Sequence, residues 1–336
     1  MARVFRIILV VGLLVLALAG GVAVWAQQAE SGDFAFVPEA AQSAAGVVRL
    51  ADAPTPTGDG RIFYTTVGVR HATVWETWFG VDQGELMPAH AVQPDGESDA
   101  ERARVDALAM QQSQQAAEAV GLRALGEQVA VRPAGVVVAA IAPGSPAEGS
   151  GLELGDIVLS VDGTSTPDVD ALRAHLRTAG VGARVSLGVH RDGRMLTIAT
   201  TTMRSPRNGD AVLGIAAEQA QVVDSPRKVT FDLSGVGGPS AGLAFALQIY
   251  SAGKGYADLG GQRVAATGTL DLNGAVGPIG GVGEKAAGAR RAGATLFLVP
   301  AENAAEARAA QVPGLRIAPV RSFAEALRAI TGAAQG

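Results

Sequence analysis

The stretch Ser234-Gly235-Val236-Gly237-Gly238-Pro239-Ser240-Ala241-Gly242 constrains the fold more than any other. It joins a strand-like run, Lys228 to Leu233, to an apolar helix-like run, Leu243 to Tyr250. Its glycines supply positive φ angles and close backbone approach, and Pro239 suits the first turn of a helix. The pattern predicts a strand, a tight turn and a helix, with Ser240 at the helix's amino-terminal end. Unpaired N–H groups and the positive end of the helix dipole meet there, so an oxyanion would be stabilised where it forms. Three readings fit this turn. Ser240 can cap the helix, as serines often do. Gly235-x-Gly237 can begin a nucleotide-binding turn, although Ser240 replaces the third glycine and no second strand near Asp258 ends in an acidic residue. Ser240 can also be a nucleophile, which requires a base.

His71, His90, His175 and His190 are scattered through segments far from the turn, and none sits in a recognisable motif. Lys285 is better placed. It stands in Gly280-Gly281-Val282-Gly283-Glu284-Lys285, at the start of an alanine-rich helical run that ends near Ala292 and leads into a strand-like Thr295 to Val299. An ordinary helix lysine is solvated. The combination with Ser240 is what points to chemistry.

Several motifs in one order carry that combination further. They are Gly238-Pro239-Ser240-Ala241-Gly242, then Thr267-Gly268, then Gly274-x-Val276-x-Pro278-Ile279-Gly280-Gly281-x-x-x-Lys285, then Ala292-Gly293-Ala294 and Val299-Pro300-x-x-Asn303. This series resembles the proteolytic domain of Lon-type serine proteases. The resemblance implies a Ser240–Lys285 dyad, an oxyanion loop built from Gly238, Pro239 and Ala241, and no metal or cofactor. Two positions depart from the ATP-dependent members: Gly237 stands where an acidic residue often precedes Gly-Pro-Ser, and Asp271 replaces a threonine.

With 336 residues, 48% of them hydrophobic, 44 glycines and few aromatics, the chain has room for two α/β-type domains and a tail. A net charge of −5 without a basic block argues against nucleic acid. The lack of cysteine excludes disulfides, thiol catalysis and cysteine-ligated metals. Arg3 and Arg6 precede an uncharged, largely apolar run from Ile7 to Ala26, and Glu30, Asp33 and Glu39 follow it. That run is long enough to span a bilayer and longer than most secretory h-regions, so residues 7–26 are read as a lipid-embedded anchor with the amino terminus inside and the body outside. A secretory peptide cleaved after Ala26 is the alternative.

Residues 30–59, with Pro38, Pro54 and Pro56, lack steady periodicity and read as a tether ending in a Gly58-Asp59-Gly60 turn. A strand is predicted over Arg61 to Val69. Thr73 to Phe79 carries Trp75 and Trp78, which suit packing or, so close behind the anchor, a lipid interface. A long helix is predicted over Glu97 to Leu125.

A second unit runs from about Val129 to Met203. Gly135-Val136-Val137-Val138, Ala142-Pro143-Gly144-Ser145-Pro146-Ala147 and Leu154-Gly155-Asp156-Ile157-Val158-Leu159-Ser160-Val161-Asp162-Gly163 precede a helix at Asp168 to Ala179. Two valine-rich strands follow, Arg184 to Arg191 and Met195 to Thr201, with a hairpin at Asp192-Gly193. The pattern is similar to bacterial PDZ domains. By that resemblance Pro133, Ala134, Gly135 and Val136 form a carboxylate loop, and Val136 to Ala140 pairs with a peptide tail. A rigid spacer is the alternative.

Together the features resemble the membrane-anchored, ATP-independent Lon-type proteases with a PDZ domain. The fold class is α+β: an anchor at 1–29, the tether at 30–59, protease elements at 60–126, a PDZ β-sandwich with helices at 127–205, and the proteolytic domain at 206–336. Only Ala211 to Leu233 separates the PDZ-like unit from the active loop, so that unit is expected to be inserted into the protease fold. No G-x-x-x-x-G-K-[ST] occurs, which argues against ATP. The expected partners are unfolded polypeptide segments or tails, and self-association is left open. A PDZ-based binding scaffold with an inactive protease-like domain is the rival reading.

Overall fold

A computed structural model describes residues 2–56, 59–82, 84–92, 99–191, 193–233 and 238–333. Helix α1 (Ala2–Gln28) contains the stretch Leu9–Gln28, long and apolar enough to cross a membrane. Only Ala29 separates it from strand β1 (Glu30–Pro38). Strand β2 (Gln42–Ser43), the short helix α2 (Ala44–Val47) and β3 (Val48–Leu50) come next. Residues 30–50 are therefore ordered secondary structure and not the expected tether. Ala35, Ala41 and Ala44 are buried contacts there, and their weak hydropathy hid the pattern. Gly58 of the predicted turn lies outside the described residues.

The single strand predicted over Arg61 to Val69 is two, β4 (Arg61–Tyr64) and β5 (Val67–Thr73), broken at Thr65-Thr66. Helix α3 (Val74–Phe79) follows, closed by a capping box between Thr73 and Glu76. Strand β1 is the middle of an antiparallel sheet, with β5 on one side and β6 (Glu85–Met87) on the other. The long helix α4 is Asp99–Ala124; Glu97 lies outside the described residues.

The middle unit is an antiparallel sheet with one helix across it. Its strands are β7 (Ala130–Ile141), β8 (Ile157–Val161), β9 (Arg184–Arg191), β10 (Arg194–Thr201) and β11 (Ile215–Asp224), in the order β10-β9-β8-β7-β11. Asp192, in the β9–β10 turn, is outside the described residues. Helix α5 (Val169–Ala179) starts at Asp168, whose carboxylate accepts from the Ala171 N–H at 2.7 Å. Val136, Val158, Leu172, Leu187 and Leu213 form the core. This sheet does not close at residue 205. Strand β11 completes it, because β7 exposes a long edge that β11 covers from Ala130 to Ile141.

The remaining chain supplies β12 (Val229–Phe231), α6 (Gly242–Gly253), β13 (Arg263–Ala266), α7 (Val282–Arg291), β14 (Leu296–Pro300), α8 (Ala304–Ala309), β15 (Arg316–Val320) and α9 (Phe323–Ala333). Their sheet has the order β2-β4-β13-β14-β15, parallel from β4 onward. Strand β4, which precedes the middle unit, pairs with β13 from Arg61 against Arg263 to Tyr64 against Ala266. Helices α4 and α6 cover one face, where Tyr64, Leu122, Phe245 and Leu247 are fully buried. Each such side chain contributes roughly 1.5–3 kcal/mol. Gly121 is required at the α4–α6 contact, because a Cβ there would lie 2.9 Å from Ile249. Helices α7 and α8 cover the other face around Phe297 and Val299, giving the both-sides burial that parallel strands need.

Candidate active site

The serine loop is clamped from two directions. Gly238 has φ +81°, which a residue with a Cβ rarely adopts, and Pro239–Ala241 form a single helical turn that runs into α6. From the end of β13, the Gly268 N–H donates to the Ser240 carbonyl at 2.8 Å and the Thr267 hydroxyl donates to the same oxygen at 3.2 Å. From α4, the buried Ser113 hydroxyl donates to the Pro239 carbonyl at 3.1 Å. A Cβ at position 242 would come within 2.7 Å of Ser113 Oγ, so that glycine lets α4 approach the loop. The Ser234 to Gly237 part of the loop, including the Gly237 departure, is outside the described residues.

Lys285 lies in the first turns of α7, whose cap residue Gly281 has φ +64°. Its side chain is 5% exposed, and burial pulls its pKa down to about 8 against the weaker upward pull of Glu306 and Glu284. Ser240 and Lys285 line one cleft of about 580 Å³, together with Gly238, Ala241, Gly280 and the Thr65 to Val69 segment. The cleft sits at the carboxyl ends of β4 and β13, where Thr65 and Thr267 follow directly. None of the four histidines lines it. Asn303 fixes the approach to α7 by exchanging two 2.9 Å hydrogen bonds with the Ile279 backbone. Asp271 does not line the cleft; its carboxylate accepts from the Asn273 and Ala275 N–H groups and holds a turn.

Ser113, beneath the serine loop, and Thr65, in the cleft, were not among the predicted site residues. Ser113 sits on a helix whose face reads as packing. Thr65 is 2% exposed, its hydroxyl has no hydrogen-bond partner among the described residues, and it lines the cleft. In the sequence Thr65 belongs to a polar pair that interrupts a β-branched, aromatic run.

Residues 234–330 match the family model of the Lon protease (S16) C-terminal proteolytic domain, and residues 123–202 match that of the PDZ domain. The chain combines a PDZ domain with a Lon-type proteolytic domain. Lon protease 2 of Bacillus subtilis is 43% identical over 93 residues, 27% of this chain and 16% of that protein. The periplasmic serine endoprotease DegP of Salmonella typhimurium is 32% identical over 74 residues, 22% of this chain and 16% of that one. This chain thus spans about a sixth of the length of each. The PDZ domain of the SdrC-like protein from Listeria innocua is 21% identical, covering 26% of this chain and 96% of that one, with a TM-score of 0.24. The Lon-type match begins after β4 and α4, yet both pack into the Lon-type sheet and its helical cover.

In the PDZ domain the structure corrects the predicted peptide site. Pro133, Ala134, Gly135 and Val136 lie within β7, which pairs with β11 along one edge and with β8 at Val136 and Val137 on the other. Pro133 faces Gln221 and Val136 faces Gln219 on β11, while Val136 faces Val158 on β8. The Gly135 N–H donates to the Pro167 carbonyl, and its own carbonyl accepts from Gln219 Nε2, both at 2.9 Å. A Cβ at position 135 would be 2.8 Å from Ile157, so the strand needs glycine there, and its N–H is already engaged by Pro167. Val136 and Val137 are paired on both sides, and Val138 and Ala140 pair with β11, so the stretch expected to take a peptide already has a strand partner. Among the described residues β11 pairs on one side only, and α5 packs beside it. Its first residues follow Leu213-Gly214, where Gly214 has φ +83° and its carbonyl accepts from the Ala142 N–H at 2.8 Å. The signal was a glycine between Leu213 and Ile215 ahead of a strand. It was missed because residues after 205 were assigned to the other domain.

Proposed function

We propose that this chain is an ATP-independent, membrane-anchored serine endopeptidase that works through a Ser240–Lys285 dyad. The observation that carries the reading is the shared cleft: Ser240 and a buried Lys285, its pKa lowered to about 8, face one cavity. At pH 7 about a tenth of such lysines are neutral, whereas an unperturbed one is almost wholly charged. Neutral Lys285 Nζ takes the Ser240 Oγ proton as Oγ attacks the scissile carbonyl, then gives it to the leaving amine. Water resolves the acyl-enzyme by the same proton path in reverse. Backbone N–H groups beside Ser240, in the loop that Gly238, Pro239 and Ala241 shape, receive the oxyanion.

Substrates are unfolded segments or tails of exported or membrane proteins, with an extended tail adding to the open edge of β11 beside α5. Anchoring by α1, with the body outside, is favoured over cleavage after Ala26, because Ala26 is fully buried and α1 packs on α3. The test uses the full chain in lipid nanodiscs with casein and with an unfolded membrane-protein tail, beside Ser240→Ala. Cleavage by the parent alone is the expected result. Tail binding without cleavage by either protein would establish the scaffold instead.

A further inference from the structure

The membrane end of the molecule carries an aromatic cluster that the proteolytic chemistry does not use. Trp78 is 56% exposed, Phe79 67% and Trp25 57%, while Trp75 stacks on Phe79 with ring centroids 4.2 Å apart. Soluble surfaces rarely place large aromatics side by side in water. Their position is fixed by the backbone. Helix α1 passes into β1 through Ala29 alone, Glu30 pairs with Thr73, and the Val74 N–H that opens α3 donates to the Ala29 carbonyl at 2.9 Å. Helix α3 therefore sits at the level where the apolar span ends, and it packs on α1. Tryptophan and phenylalanine at that depth match the headgroup zone, where amphipathic rings are favoured.

We infer that Trp25, Trp78 and Phe79 form a foot that enters the headgroup region of the bilayer and holds the catalytic cleft at a fixed height above it. This rests on the membrane-anchor reading of α1. Strand β5 links foot and cleft: Thr73 caps α3, and Val67, Gly68 and Val69 line the cleft with Ser240 and Lys285. At about 3.3 Å per residue, the strand separates the two by no more than roughly 20 Å. A substrate segment anchored in the same membrane reaches Ser240 after about six extended residues. The substrates matched to this geometry are the juxtamembrane stretches of bilayer-embedded proteins, more than freely diffusing chains.

The test uses the full chain in vesicles of phospholipids brominated at defined acyl positions. One variant keeps only Trp78 (Trp25→Phe with Trp75→Phe) and another keeps only Trp25 (Trp75→Phe with Trp78→Phe). Quenching of both, strongest with the shallowest bromines, is expected. Quenching of Trp25 without Trp78 would leave the anchor standing and overturn the foot; quenching of neither, with the protein failing to sediment with vesicles, would remove both. A second arm pairs Trp78→Ser with Phe79→Ser. Casein cleavage should stay as in the parent, while cleavage of a vesicle-embedded single-span substrate near its membrane exit falls at least about fivefold. Equal loss on both substrates, or none on the embedded one, would refute the height-setting role.

Discussion

The Lon-type and PDZ domains both set helices on a sheet, but they assemble and use their sheets in opposite ways. The Lon-type sheet is parallel from β4 onward, is covered on both faces, and draws β4 and β13 from opposite sides of the PDZ domain in sequence. Its candidate site lies at the carboxyl ends of strands, where loops from distant segments converge and the clamps on Ser240 come from β13 and α4. The PDZ sheet is antiparallel, contiguous from β7 to β11, and finishes in β11, which among the described residues pairs with a strand on one side only. A nucleophile needs a fixed position, which non-local packing supplies. Peptide capture needs only unpaired backbone, which a sheet edge supplies.

The largest expected effect breaks the two apart. A fragment of residues 202–336 lacks β4, α4 and the β3 partner of β12, so it should show no cooperative thermal transition by circular dichroism. A fragment of residues 127–226 keeps β7 to β11 with their core and should unfold cooperatively. Cooperative folding of the first fragment would show that the Lon-type domain does not depend on what precedes the PDZ domain.

An intermediate effect concerns Lys285; the buried carboxylate of the PDZ domain, Asp156, is by contrast paired with Arg191. A lysine with its pKa lowered to about 8 from 10.5 burdens the folded state fully below pH 8, and the burden disappears as pH rises from 8 to 10.5. Lys285→Met keeps the stem without the charge. It should abolish cleavage while raising stability at pH 7 by about 3 kcal/mol. Thermal melts of parent and variant should converge as pH approaches 10.5. Parent activity should rise through pH 8 as the amine becomes neutral. A constant stability gap across that range, or cleavage by the variant, would remove Lys285 as the base.

The legible parts of the molecule were those where one short stretch carries its own instruction. The glycines and proline around Ser240, the glycine-rich start of α7 and the Leu154 to Gly163 motif each state a local geometry, and their elements formed where the residues placed them. Illegible were the features set by partners far along the chain. Nothing near Pro133 says that β11 will cover β7, and the edge that looked open is closed by residues assigned elsewhere. Alanine-rich residues 30–50 gave no period because Ala35 and Ala44 fill tight contacts without a strong hydropathy signal. Ser113 and Thr65 gained their place only when α4 and β4 met the serine loop.

The smallest effect sharpens the comparison at the one element that touches both domains. Helix α4 meets the PDZ edge strand, with Gln115 Nε2 donating to the Gln221 carbonyl at 2.9 Å, and it meets the serine loop through Ser113 and Pro239. Removing the Ser113 hydroxyl leaves the Pro239 carbonyl without that donor, a loss of about 1 kcal/mol. If the bond positions Ser240, the cost appears in turnover: Ser113→Ala should lower kcat about fivefold to tenfold with KM nearly unchanged. Gln115→Ala removes the PDZ-side contact and leaves the loop clamped, so kcat should hold while tail affinity shifts modestly. Equal small losses in thermal stability with kcat unaltered in both would mean that α4 only packs, and that Thr267 and Gly268 alone hold the nucleophile.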